Sequence, residues 1–121
     1  MHDEPFSYAT SPGSKTGVTV LKLSGPLILR HIFSFQAAFR EMKPPILIMD
    51  LSDCRYMDSA GLGLIMNQFV SATNGKRGFI VTGANYRIQS LMELTKVSTI
   101  LTMYRSTAEA EANLLPLTRA I

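Results

Sequence analysis

Apolar residues recur along this chain in two alternating patterns. Short apolar or β-branched runs predict strands, because a strand buried on one or both faces needs such side chains. Longer stretches with apolar residues three or four positions apart predict amphipathic helices. Predicted strands cover residues 18–23, 46–49, 79–82 and 100–104. Predicted helices cover residues 30–42, a segment that begins near 59, residues 87–95 and residues 107–115.

The helical spacing also predicts which side chains face the core. In the second helix the expected buried stripe is Leu62, Ile65, Met66, Phe69 and Val70. In the third helix it is Ile88, Leu91, Met92 and Leu94. Ser106, followed three residues later by Glu109, is a capping-box pattern that starts the last helix.

Strands separated by helices favour parallel pairing through right-handed crossovers. We therefore predict an α/β fold with a mostly parallel mixed sheet flanked by about four helices. Residues 1–17 are rich in Pro, Gly and Ser and form a lead-in with one short strand near residues 6–9. The domain itself is expected at 18–115, and residues 116–121 form a tail.

Composition narrows the class of function. Charged residues make up 17% of the 121 residues, below the roughly 25% usual for soluble domains, which indicates uncharged contact surface. The net charge is +3, but the basic residues are scattered, so nucleic-acid binding is not expected. No apolar run is long enough for a membrane span and no export signal is present, so we expect a cytoplasmic protein that does not bind membranes.

Few side chains in this sequence are candidates for reactive or metal-binding roles. Cys54 is the single cysteine, which rules out an internal disulfide, and nothing beside it except Arg55 would activate its thiol. His2 and His31 are not supported as metal ligands, and no metal or cofactor site is predicted. Asp50 follows a buried strand and is either a functional carboxylate near Ser59 or a strand-end residue that bonds loop N–H groups.

The most informative segment is MDSAGLG at residues 57–63, where Asp58 and Ser59 open a helix directly after a strand and loop. Unpaired N–H groups and the helix dipole favour negative charge at such a position. Gly61 and Gly63 each cost roughly 1 kcal/mol inside a helix relative to alanine. They indicate either close approach of a partner or tight packing within the domain, with Asp58 as a simple N-cap.

Two segments, ILIMDLS at 46–52 and YMDSAGLG at 56–63, resemble the signature of STAS domains, the family of the bacterial anti-sigma factor antagonists. The likeness continues in LSG at 23–25, VTGAN at 81–85 and STAEA at 106–110, so it covers about residues 18–115.

The resemblance implies a phosphorylation switch at Ser59. The unphosphorylated antagonist would bind an anti-sigma factor that is itself a serine kinase, and so free the sigma factor. Phosphorylation of Ser59 by that kinase would end binding, and a PP2C-type phosphatase would restore it. The positions expected to meet the partner are Asp58, Ser59, Ala60, Gly61, Leu62, Gly63, Gly25 and Asn85.

The chain departs from the family pattern at two places. Many antagonists carry acidic residues at the positions of Pro26 and Ile28, and many have Gly-Leu where this chain has Lys96 and Val97. These changes put the identity of the partner in doubt more than the fold. The alternative is therefore a STAS scaffold or a subunit of a stress-signalling or lipid-transport complex that Ser59 does not switch.

An enzyme is the weaker hypothesis. The sequence has no G-x-S-x-G elbow at Ser59, and no histidine follows that serine as an α/β-hydrolase would need. No phosphate-binding P-loop is present either, so we expect ATP to bind the kinase partner and not this chain.

Overall fold

A computed structural model describes residues 4–114 and contains one five-stranded sheet. The strands follow one another across the sheet in chain order, with the first antiparallel to the second and the remaining pairs parallel. They are β1 (Ser7–Pro12), β2 (Val18–Ser24), β3 (Ile46–Asp53), β4 (Gly78–Thr82) and β5 (Thr102–Tyr104).

Four helices cover the two faces of this sheet. They are α1 (Leu29–Glu41), α2 (Ser59–Asn74), α3 (Tyr86–Leu94) and α4 (Thr107–Ala112). A short 3-10 turn, Val97–Thr99, precedes β5. The predicted α/β architecture, a mostly parallel mixed sheet with four helices, is confirmed.

The alternation of side chains along the strands divides the core into two layers. Leu47, Met49 and Val81 belong to the larger cluster, which includes the buried residues of α1, α2 and α3. Ile48 and Ile80 point to the opposite face and pack with α4. Since both faces are covered, the central strands read as continuous apolar runs in the sequence.

Several sequence-based details need correction. Val70 is 51% exposed and Leu94 is 82% exposed, so neither faces the core as expected. The last strand starts only at Thr102, because the 3-10 turn occupies the residues before it. The lead-in strand is longer than expected and pairs along its length with β2.

The chain ends also differ from expectation. The last helix ends at Ala112, three residues before the expected position, and residue 115 and the tail 116–121 lie outside the described residues. Within residues 4–114, every helix is too short or too polar to cross a bilayer.

Candidate functional site

Two loops are joined by backbone hydrogen bonds at the edge of the sheet where the parallel strands end. The Gly25 N–H donates to the Asp53 carbonyl at 3.0 Å, and the Leu27 N–H donates to the Tyr56 carbonyl at 3.0 Å. The Asp58 N–H returns a bond to the Leu27 carbonyl at 3.3 Å. The loop before α1 therefore fixes the path of the loop before α2.

Asp58 is the N-cap of α2, and its carboxylate also accepts a hydrogen bond from the first turn of α1. Its Oδ1 accepts from the Gly61 N–H at 3.1 Å, the usual bond from a capping residue to the third helical position. Its Oδ2 accepts from the Leu29 N–H at 3.0 Å. Ile28, the N-cap of α1, has no side-chain acceptor, so Asp58 supplies the missing cap from 29 residues away.

Ser59 is the first residue of α2, and its side chain is exposed. A hydroxyl at this position is accessible to a modifying protein and lies at the positive end of a 16-residue helix. Ala60 beside it is half-buried. The site can therefore carry a phosphate without disturbing the core.

The two glycines of α2 have different environments. Gly61 is buried, and a Cβ there would overlap the Leu27 carbonyl oxygen. Gly63 is exposed, and a Cβ there would meet no atom within 4 Å. Internal packing therefore explains Gly61, whereas nothing within the described residues requires glycine at position 63.

Two of the residues expected to meet the partner are buried. Gly61 and Leu62 pack in the core of the domain and support the start of α2, so little of their surface is open to solvent. Ser59 and Gly63, in the same segment, are exposed.

Gly25 and Asn85 also have clear structural roles at this edge. Gly25 has a φ of +92°, and a Cβ there would overlap the Pro5 carbonyl oxygen, so glycine is required by the turn itself. Asn85 caps α3 by accepting from the Ile88 N–H at 3.0 Å. Its Nδ2 donates to the Arg55 carbonyl at 2.8 Å and so ties α3 to the loop before Ser59.

Three further features lie in the loop before Ser59 and on α1 and α3. The Arg87 guanidinium lies 5.3 Å from the centre of the Tyr56 ring, and Arg55 forms an ion pair with Glu4 at 2.9 Å. Leu29 and Phe33, on consecutive turns of α1, are 58% and 78% exposed. Phe33 lies off the buried stripe of α1, which consists of Ile32, Phe35 and Phe39, so it faces solvent.

The other candidate groups have structural roles. Asp50 Oδ1 accepts from the Ser52 N–H at 2.9 Å, which supports its interpretation as a strand-end residue that orders the loop. Cys54 is buried, and desolvation raises the pKa of its thiol to about 11, so it is not poised to react. His31 stacks on Phe6 with ring centres 5.3 Å apart, whereas His2 lies outside the described residues.

Comparison with known proteins agrees with this geometry. The STAS domain family profile matches residues 13–110. An anti-sigma-B factor antagonist of Listeria monocytogenes is 31% identical over 68 residues, which are 56% of this chain and 60% of that protein. The matched segment thus spans less than two thirds of that relative.

Solved structures share the fold. An anti-sigma factor antagonist from Mycobacterium paratuberculosis superimposes with a TM-score of 0.80 at 20% identity, covering 89% of this chain and 92% of that one. The Bacillus cell fate determinant SpoIIAA in its phosphorylated form superimposes with a TM-score of 0.67 at 15% identity, covering 90% and 99%. The match over residues 13–110, together with the shared architecture, shows that this chain belongs to the STAS domain family.

Proposed function

We propose that this chain is an anti-sigma factor antagonist whose binding is switched by phosphorylation of Ser59. In its unphosphorylated form it binds an anti-sigma factor serine kinase in the cytoplasm, and the sigma factor is released. The kinase transfers the γ-phosphoryl group of ATP to Ser59 Oγ, with ADP leaving and the hydroxyl proton passing to the kinase. A PP2C-type phosphatase then hydrolyses the phosphoserine with water.

The observation that carries this proposal is the exposure of Ser59 at the first position of α2. A phosphate there adds about −1.5 to −2 charges beside the Asp58 carboxylate. The isolated domain accommodates this charge because the helix N-terminus is favourable for anions. A partner that docks on this surface has to remove water from the phosphate. If desolvation and charge repulsion together cost about 3 kcal/mol of binding free energy, the affinity falls roughly a hundredfold.

The docking surface proposed around Ser59 follows from exposure. Asp58, Ala60 and Gly63 border the hydroxyl on α2, and Asn85 lies at the start of α3 beside the same loop. Gly25, Gly61 and Leu62 hold this surface in place from behind.

The test is phosphorylation by each purified anti-sigma factor kinase of the source genome with radiolabelled ATP. We expect one kinase to label the wild-type chain and not Ser59→Ala, with the phosphate mapped to Ser59 by mass spectrometry. Ser52→Ala, which removes an exposed serine on β3, is the matched control and should be labelled normally. A stable complex without labelling at Ser59 would contradict the proposal and favour a STAS scaffold.

A further inference from the structure

A cleft of about 440 Å³ lies between α3 and the start of α4, at the carboxyl ends of β4 and β5. It is lined by Ala84, which follows β4, and by Arg105, which follows β5. Because α3 packs on one face of the sheet and α4 on the other, the chain leaves these two paired strands in opposite directions. In open α/β sheets, ligands bind at such a divergence beyond the carboxyl ends of parallel strands. The cleft therefore has the position and the size of a small-molecule site.

The inner part of the cleft is apolar. Among its lining residues Met92 is fully buried and Met103 is half-buried. The unbranched thioether side chain of methionine adapts to apolar groups of different shapes. The cleft can therefore take up an apolar group of moderate size.

The wall that α3 contributes presents hydrogen-bond acceptors. Gln89 Nε2 donates to the Ala84 carbonyl at 2.7 Å, which fixes the amide and leaves its Oε1 to accept from a ligand. Glu93, one turn further along α3, is exposed, and its carboxylate has no hydrogen bond or ion pair with another residue in the range 4–114. This wall is suited to a positively charged donor group.

The opposite wall carries a guanidinium group. Arg105 is exposed, and its side chain has no hydrogen bond or ion pair within the described part of the chain. Its backbone N–H donates to Glu109 Oε1 at 2.8 Å, so the Glu109 carboxylate is already engaged in holding the start of α4. The Arg105 side chain is thus left to bind an anion, and a guanidinium pairs with a carboxylate through two parallel hydrogen bonds.

We propose that this cleft binds a free α-amino acid with an apolar side chain. The ammonium group of the ligand lies against Glu93 and Gln89 Oε1, its carboxylate pairs with Arg105, and its side chain packs on the two methionines. A free amino acid carries both charges on one carbon atom next to an apolar group, which is the combination that the two walls and the inner part of the cleft offer. The bound ligand would contact Ala84, the neighbour of Asn85, which ties α3 to the loop before Ser59.

The test is a titration of the full chain with L-leucine, followed by the methyl NMR signals of its methionines. We expect the signals of Met92 and Met103 to shift, whereas that of Met42, at the end of α1, should not move. Arg105→Gln and Glu93→Gln should each weaken binding about tenfold or more, because each removes one charged contact. Arg40→Gln and Glu41→Gln, which change equally exposed charges on α1, are the matched controls and should bind as the wild type does.

Two analogues with the same side chain test the two charged contacts separately. L-leucine amide lacks the carboxylate and N-acetyl-L-leucine lacks the ammonium group, so each should bind about tenfold or more weakly than L-leucine. If either analogue binds as tightly as L-leucine, or if Arg105→Gln binds like the wild type, the amino-acid proposal is wrong. Unmoved signals of Met92 and Met103 would also overturn it. No anti-sigma factor kinase is used in these titrations, so their outcome is independent of the switch proposed at Ser59.

Discussion

Asp58 Oδ2 lies 3.0 Å from the backbone nitrogen of Leu29 and accepts its hydrogen bond, so the residue before Ser59 also caps the preceding helix. The same carboxylate holds the first turn of α2 through Gly61. A change at Asp58 is therefore transmitted to both helices that border the proposed docking surface.

Asp58→Ala should lower the free energy of unfolding by about 2 kcal/mol, roughly 1 kcal/mol for each lost cap. Ser106→Ala is the matched control, because Ser106 caps only α4 through a single bond to the Glu109 N–H. Urea denaturation followed by circular dichroism measures both. Equal losses for the two variants would show that the bond to Leu29 contributes nothing.

The two glycines of α2 should respond in opposite directions to alanine. Gly61→Ala forces a Cβ against the Leu27 carbonyl and should destabilise the domain by about 1–3 kcal/mol. Gly63→Ala meets open space and should stabilise it by about 0.5–1 kcal/mol through better helix propensity. Kinase affinity should nevertheless fall for Gly63→Ala; an unchanged affinity would remove Gly63 from the docking surface.

Lys96 has a φ of 66°, in the left-handed region that glycine adopts without cost. Lys96→Gly should raise the free energy of unfolding by about 0.5–1 kcal/mol, because relief of backbone strain exceeds the entropy gained by the unfolded chain. Lys96→Ala keeps the strain, so a similar gain in that variant would show that the lysine side chain, not the backbone, is responsible.

The buried thiol of Cys54 should make stability fall at alkaline pH. Its pKa is about 11 in the folded state, against 9.0 for an unburied thiol. Above pH 9 the unfolded state loses the proton first, so unfolding is favoured by up to about 1.4 kcal/mol at pH 10. Urea midpoints at pH 7.5 and 10 should therefore decline more for the wild type than for Cys54→Ala, and parallel declines would contradict this.

The sequence predicts the order and type of the main elements because each central strand is a short apolar run buried on both faces. The sequence predicts less well which side chains are buried, because tertiary packing as well as helical spacing determines this. Val70 has the spacing of a core residue, but α2 turns Gln68 and Ala72 inward instead. Leu94 is exposed because α3 ends there and Val97 takes the buried position in the following turn.

The local features of the candidate site could be predicted from the sequence, but its long-range contacts could not. An N-cap at Asp58 and an accessible Ser59 follow from the local pattern of a polar pair before an apolar helix. The bond from Leu29 to Asp58 and the overlap that Gly61 avoids with Leu27 do not, because both depend on a loop about 30 residues earlier in the chain. The spacing of residues within one segment does not predict contacts with a segment that is distant in the sequence.

The most direct test of the account is the affinity of Ser59 variants for the cognate anti-sigma factor kinase, measured by calorimetry. Ser59→Ala should bind as tightly as the unphosphorylated wild type, and Ser59→Glu should bind about a hundredfold more weakly, because it places a fixed negative charge beside Asp58. Circular dichroism should show both variants folded. Equal affinities for the alanine and glutamate variants would contradict the claim that charge at this hydroxyl controls the partner.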